Sequence, residues 1–260
     1  MNQHPGIDGQ SDDQLPVLEL KGLSKSFGGL QAVRGVSLQI MPGERKAIIG
    51  PNGAGKTTLF NLISGIFPAT SGQVLLFGRD VTGWPSHRRA ALGMARTFQV
   101  TSLFPKLTVL DNVLLAIKGR RASKFVMWRF LSSYRDVYGK AHDLLERAAF
   151  FDRKDVEVRY LSHGEQRQLE IVLGLAADPD ILLLDEPAAG LSSGESADMA
   201  RFLQKLDAKI AILLIEHDMD IVFDVADEIS VLHFGEVLES GSAARIRSSA
   251  KVQEIYLGTG

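Results

Sequence analysis

The residues best suited to chemistry lie in one short stretch, Gly50-Pro51-Asn52-Gly53-Ala54-Gly55-Lys56-Thr57-Thr58. It fits G-x-x-x-x-G-K-[ST], a phosphate-binding loop. Glycines let the backbone close around an anion with no Cβ in the way. The amides of Asn52, Gly53, Ala54, Gly55 and Thr58, with the helix N-terminus behind them, then face phosphate oxygens. Lys56 brings a positive charge to the outer phosphates, and Thr57 offers a hydroxyl to Mg²⁺. A second group lies far along the chain. Asp185 ends an apolar run and is placed to hold Mg²⁺. Glu186 follows it and can take a proton from an attacking water. His217 ends a second apolar run and can donate to a γ-phosphate or steady that water. Gln99 ends a third strand and can reach metal or water. Together these residues suit transfer of a phosphoryl group from a nucleoside triphosphate to water. Singly, each has a plainer reading: a glycine turn, a surface acid, a structural histidine.

These groups need elements that hold them. Arg45-Lys46-Ala47-Ile48-Ile49 reads as a short buried strand before the loop, and Leu59-Phe60-Asn61-Leu62-Ile63 as the helix after it. Ile181-Leu182-Leu183-Leu184 and Ile210-Ala211-Ile212-Leu213-Leu214-Ile215 are continuous apolar runs, as central parallel strands are. Open α/β sheets bind ligands at the carboxyl edge of such strands, where Asp185, Glu186 and His217 fall. Val17-Leu18-Glu19-Leu20-Lys21 alternates like a half-buried strand, residues 22–29 read as loop, and residues 31–40 and 73–78 as strands. These short-linked strands suggest a small antiparallel sheet beside the core. Residues 94–99 read as a strand and 229–233 as another. A helix is expected over 108–117 with Thr108 as its cap, and residues 141–151 read as the continuation of a helix. Residues 119–140 mix Arg120, Arg121, Lys124, Arg129 and Arg135 with Phe125, Trp128, Phe130 and Tyr134. That composition suits a contact with lipid headgroups or a partner, or an amphipathic helix with a solvated basic face. The tail from Ser242 reads as short helix or loop.

Composition narrows the class. The 260 residues carry a net charge of −2 and no cysteine. Near-neutral charge gives no argument for nucleic acid. The absence of cysteine excludes disulfides, thiolate metal sites and a cysteine nucleophile. No apolar run approaches the ~18 residues of a membrane span. Residues 1–15 are polar, without a signal core, and read as a flexible tail. The expectation is a cytoplasmic domain that meets a membrane only through partners.

Leu161-Ser162-His163-Gly164-Glu165-Gln166 resembles the L-S-G-G-Q signature of ATP-binding cassette (ABC) ATPases. Phosphate loop, Gln99, signature, Asp185-Glu186 and His217 also occur in that family's order, and the resemblance covers roughly residues 17–257. It implies an α/β fold: a P-loop NTPase (RecA-like) core, a helical subdomain at about 101–160 and a small antiparallel β subdomain, all within 16–260. It implies ATP and Mg²⁺ as cofactors, with Thr57, Gln99 and Asp185 at the metal and Glu186, His217 and Gln99 in catalysis. It implies Phe27 stacked on adenine with Val33 nearby. It also implies a head-to-tail dimer in which Ser162 and Gly164 of one subunit bind the γ-phosphate held by the other, at a helix starting near Glu165. Two residues depart from the pattern: His163 replaces a glycine and Glu165 a glutamine. His163 is expected to modulate phosphate contact or pH response.

The finer resemblance is to ATPase subunits of bacterial branched-chain or hydrophobic amino acid importers. It is carried by Ala95-Arg96-Thr97-Phe98-Gln99, residues 185–191, Ile215-Glu216-His217-Asp218-Met219 and Tyr256-Leu257-Gly258. Urea and short-amide importer subunits look alike, and their signature tends to carry the histidine seen at His163. The resemblance implies two membrane permeases, docked near residues 99–105, a second ATPase subunit that is a paralogue or a second copy, and a periplasmic solute-binding protein reached indirectly. It places the chain at the cytoplasmic face of the bacterial inner membrane, without nucleic acid. An ATPase of the lipopolysaccharide-export type and a soluble ABC ATPase of DNA repair or translation are the competing readings. Against the latter stand a single cassette, no long coiled-coil insertion and no basic surplus. No N-K-x-D motif supports guanine recognition.

Overall fold

The computed structural model describes residues 15–97, 103–119 and 132–257. The chain begins with a meander. Strand β1 (Leu18–Phe27) pairs antiparallel with β2 (Leu30–Ile40). The sequence places a loop over residues 22–29, but β1 runs on to Phe27. Its pairing register slips between Leu20 and Leu23, where Gly22 takes φ 54°, so the alternation that marks a strand is broken there. Strand β3 (Arg45–Ile49) leads through the phosphate-loop segment into helix α1 (Lys56–Ile63). Strands β4 (Ser71–Leu76) and β5 (Arg79–Asp80) complete an antiparallel sheet of order β2-β1-β4-β5. Helix α2 (Ser86–Ala91) and strand β6 (Met94–Arg96) follow. Strand β6 stops short of the expected residue 99, and Gln99 lies outside the described residues.

Helix α3 (Val109–Gly119) begins as expected. Thr108 Oγ1 accepts the Asp111 amide at 3.1 Å and donates to its carboxylate at 2.7 Å. Helix α4 (Ser132–Arg147) runs on through residue 141 but ends at Arg147, short of the expected 151, and the chain then takes a 3₁₀ turn over Phe151–Arg153. Most of the basic aromatic segment, residues 120–131, lies outside the described residues. Helix α5 (His163–Leu175), strand β7 (Ile181–Asp185), helix α6 (Ser193–Gln204) and strand β8 (Ala211–Ile215) come next. They are followed by α7 (Met219–Val225), β9 (Glu228–His233), β10 (Glu236–Gly241), α8 (Ala243–Ser248) and α9 (Ala250–Leu257).

The second sheet has the order β10-β9-β3-β8-β7-β6. All its pairings are parallel except β9–β10. Every residue of β7 and β8 is buried, which is why both read as unbroken apolar runs. The two faces of this sheet feed two cores. Leu183, Leu213 and Ile48 pack against Phe60 of α1 and Leu18 and Val33 of the antiparallel sheet. Leu182, Leu184, Ile212 and Leu214 pack on the other side with Val113 of α3, Leu145 of α4, Leu169 of α5 and Met199 of α6. The carboxyl ends of β3, β7 and β8 therefore meet at one edge, held from both faces. Full burial of each such leucine stabilises the fold by roughly 1.5–3 kcal/mol.

Candidate functional site

The loop between β3 and α1 owes its shape to glycine. Gly50 has φ 151°, and a Cβ there would lie 2.1 Å from Leu232 O; Gly55 has φ 101°, and a Cβ there would lie 2.4 Å from Ala32 O. Both approaches are backbone on backbone, so no side chain could yield. Neighbouring elements clamp the loop. The amide of Gly235, in the β9–β10 turn, donates to Ala54 O at 2.9 Å, while Gly235 O accepts the Arg34 amide at 2.8 Å. Lys56 is buried, its Nζ donating to Gly50 O at 2.6 Å and Pro51 O at 3.1 Å. Burial pulls the Lys56 pKa down, and the nearby Glu186 and Asp185 carboxylates oppose that shift. An open cleft of about 380 Å³ lies above, lined by Asn52, Gly53, Ala54, Gly55, Lys56, Thr57, Thr58, Glu186 and, at its rim, Phe27, Leu30 and Phe234.

Phe27 is 44% exposed at this rim, edge-on to Phe67 with ring centroids 5.6 Å apart and with Lys25 Nζ 5.0 Å from its ring. Val33 is fully buried in the core, and its neighbours Ala32 and Arg34 line the cleft.

Asp185 closes β7 with its side chain 1% exposed. Its Oδ2 accepts from Arg96 Nη2 at 3.0 Å, while its Oδ1 is buried without a hydrogen-bond partner. Burial raises the Asp185 pKa and the Arg96 guanidinium counters it. Glu186 turns out of the strand at φ 49°, with its amide donating to Ile215 O at 2.9 Å. A non-glycine residue held there stores about 1–3 kcal/mol of backbone strain, a cost that clusters at functional sites. His217 Nδ1 lies 3.9 Å from Glu186 Oε1, and the imidazole is largely exposed.

The structure brings three further side chains to these residues that sequence reasoning gave no role. Glu216 is fully buried; its Oε1 accepts the Ala188 amide at 2.8 Å, and its Oε2 accepts those of His217 at 3.0 Å and Asp218 at 3.4 Å. It ties the turn after β7 to the turn after β8. An acid directly behind an apolar run was the available signal. Arg96, the second neighbour, appeared only within a motif. Glu195 is the third: its Oε1 accepts the Gly164 amide at 3.1 Å, and its other oxygen serves Ser192 at the start of α6. Hydrogen bonds from the Ser192 amide and hydroxyl and from the Gly164 amide hold the Glu195 pKa down.

The signature residues stand apart from the cleft. Helix α5 begins at His163 rather than near Glu165 because Ser162 caps it: Ser162 Oγ accepts the Glu165 amide at 3.1 Å and Glu165 Oε2 accepts the Ser162 amide at 2.8 Å. Ser162 and Gly164 line a separate groove with Glu195 and Arg201. A Cβ on Gly190 would lie 3.6 Å from His163 Cε1, so the signature imidazole sits beside the loop that follows Glu186. The structure thus gathers Lys56, Thr57, Asp185, Glu186 and His217 at one sheet edge and leaves Ser162 and Gly164 on another surface.

The arrangement fits Mg²⁺. Asp185 Oδ1 is an orphaned buried oxygen, and Thr57 offers a hydroxyl in the cleft that the next residue after Asp185, Glu186, also lines. Among the described residues no cluster of three or more His, Asp or Glu forms a cage. Mg²⁺ suits such a site, since it takes one or two carboxylates and completes its shell with phosphates and water.

A family model described as ABC transporter matches residues 33–189. The chain belongs to the ABC transporter ATP-binding family. This cassette is 38% identical over 250 residues to the high-affinity branched-chain amino acid transport ATP-binding protein BraF of Pseudomonas aeruginosa, covering 94% of this chain and 98% of that one. LivG of Escherichia coli K12, with the same transport description, matches at the same identity and coverage. Among solved structures, the ADP conformation of the ATP-binding cassette MJ1267 superposes with a TM-score of 0.81 at 31% identity, covering 94% of this cassette and 99% of that chain. The cassette of cbiO1 from Clostridium perfringens, part of the ABC transporter complex cbiONQ, reaches 0.78 at 26% identity, covering 94% and 96%. The cassette binds ATP and hydrolyses it in transport. Among its described residues, no helix is long and apolar enough to cross a membrane.

Proposed function

We propose that this chain is the ATP-driven motor of a bacterial importer for branched-chain or other hydrophobic amino acids, working at the cytoplasmic face of the inner membrane. The observation that carries this reading is the 38% identity to BraF and LivG along nearly the full length of both chains. Its partners are two membrane permeases, a second ABC ATPase subunit (a paralogue or a second copy) and, indirectly, a periplasmic solute-binding protein. The working unit is residues 16–260, with a helical subdomain at about 101–160 turned toward the permeases.

In this reading the amides of residues 52–58 and Lys56 hold the triphosphate, and Phe27 supports the base from the cleft rim. Thr57 and Asp185, joined by Gln99, would hold Mg²⁺, which would supply positive charge against that developing on the phosphates. Glu186 orients the attacking water and takes its proton; the strained turn fixes its carboxylate near His217. Ser162 and Gly164 act on the nucleotide of the partner subunit. Their separation from the cleft within one chain supports this head-to-tail arrangement, because one subunit alone cannot complete the site. His163 favours one second reading, a urea or short-amide importer.

The test is co-purification. Tagged Glu186→Gln chain is extracted from native membranes in mild detergent with Mg-ATP, and its companions are identified. Two multi-span permeases, a second ATPase and a branched-chain amino acid-binding protein linked to them support the proposal. A binding protein selective for urea or amides favours the second reading. An export permease or only soluble companions overturns the importer assignment.

A further inference from the structure

Arg96 belongs to none of the roles above, yet it joins two of their elements. It closes β6, and its side chain is 11% exposed. Nη1 donates to Asn61 Oδ1 and to Ser64 Oγ, both at 2.7 Å, and the guanidinium lies 5.6 Å from the Phe60 ring. These anchors all lie on or just behind α1, the helix that carries the phosphate loop. From that side Nη2 reaches Asp185 Oδ2 at 3.0 Å. A guanidinium is a rigid planar fork, so anchoring one nitrogen fixes the direction of the other. Among the described residues the Asp185 carboxylate has no other hydrogen-bonded partner, and its Oδ1 is buried with none. Without the fork, nothing among the described contacts selects a rotamer for it.

We infer that Arg96 is a positioning residue for hydrolysis: held by Asn61 and Ser64, it occupies one oxygen of Asp185 and thereby fixes the other for Mg²⁺. The inference rests on the reading that Asp185 serves the metal. Arg96 does not line the cleft above the phosphate loop. Its function is to register the end of β7 against α1, so that metal carboxylate and phosphate loop keep one spacing. Residues that orient a metal ligand from outside typically change metal affinity 10–100-fold when removed.

The test compares Arg96→Met, which keeps an apolar stem over Phe60 but loses the fork, with Arg96→Lys, Asn61→Ala and Asp185→Asn. Binding of a fluorescent ATP analogue is titrated in EDTA and across Mg²⁺ concentrations, and hydrolysis is measured alongside. For Arg96→Met the affinity in EDTA should stay within about twofold of wild type. The Mg²⁺ concentration at half effect should rise at least about tenfold in both binding and turnover. Asn61→Ala should shift it the same way by less, and Arg96→Lys should fall between Met and wild type. If Arg96→Met does not fold, the Asn61→Ala and Arg96→Lys shifts decide the matter alone. A wild-type Mg²⁺ response in the folded variants, with that of Asp185→Asn lost, overturns the role of Arg96 alone. A Mg²⁺ response that survives in Asp185→Asn overturns the metal assignment beneath it.

Discussion

Glu216 Oε1 accepts the backbone amide of Ala188 at 2.8 Å, although the residues are distant in sequence. The same carboxylate accepts the amides of His217 and Asp218. One buried side chain therefore sets the spacing between the turn carrying Glu186 and the turn carrying His217. Replacing it leaves buried amides unpaired, at about 1–3 kcal/mol for an unsatisfied group. Glu216→Ala should lose about 2–4 kcal/mol of stability in denaturant melts. Its hydrolysis should fall even at temperatures where it stays folded.

Glu216 also makes stability depend on pH. Burial raises its pKa above the ordinary glutamate value of 4.5, against three opposing amide hydrogen bonds. The folded protein then binds the proton more tightly than the unfolded chain. Its contribution is fully present below pH 4.5 and is lost as pH rises through the raised folded value. Melts of wild type and Glu216→Gln from pH 4.5 upward should show this segment of the decline in wild type only.

Glu186→Gln should bind ATP with near-normal affinity and hydrolyse it about 10²–10⁴-fold more slowly, the usual loss with a general base. It should also run as a dimer on size exclusion with ATP. Near-normal phosphate release in this variant would remove Glu186 as the base.

Lys56→Ala should weaken nucleotide binding itself by roughly 10–100-fold, since hydrogen bonds to a charged group are worth about 1.5–3 kcal/mol. Calorimetric titration with ATP measures this directly. Fold stability should change little in the absence of nucleotide, because burial of this ammonium opposes its own charge.

The parts of this site visible in the sequence were those in which a single segment determines its own role. Strands β7 and β8 are buried on both faces, so their apolar runs announce them and Asp185 falls at the end. The loop at residues 50–58 declares itself through glycines that no other residue can replace at Gly50 and Gly55. The hidden parts depend on distant segments meeting. Nothing local to Arg96 tells that Asn61, Ser64 and Asp185 converge on it. Nothing local to Glu195 tells that it lies against Gly164. Strand β10 was missed because its half-buried, polar-rich residues pair only with β9 at the sheet edge, and the end of β1 because a slipped register erased its alternation.

The Gly235 clamp has a thermodynamic consequence. Ala54 O and the Arg34 amide are both tied to this one residue, so the phosphate loop is stitched to both sheets by the chain's own backbone. An already ordered loop loses little backbone entropy on binding, a cost of roughly 1–2 kcal/mol for each residue that must otherwise be frozen. The empty protein should therefore protect the Gly235 amide from hydrogen exchange nearly as well as the nucleotide-bound one.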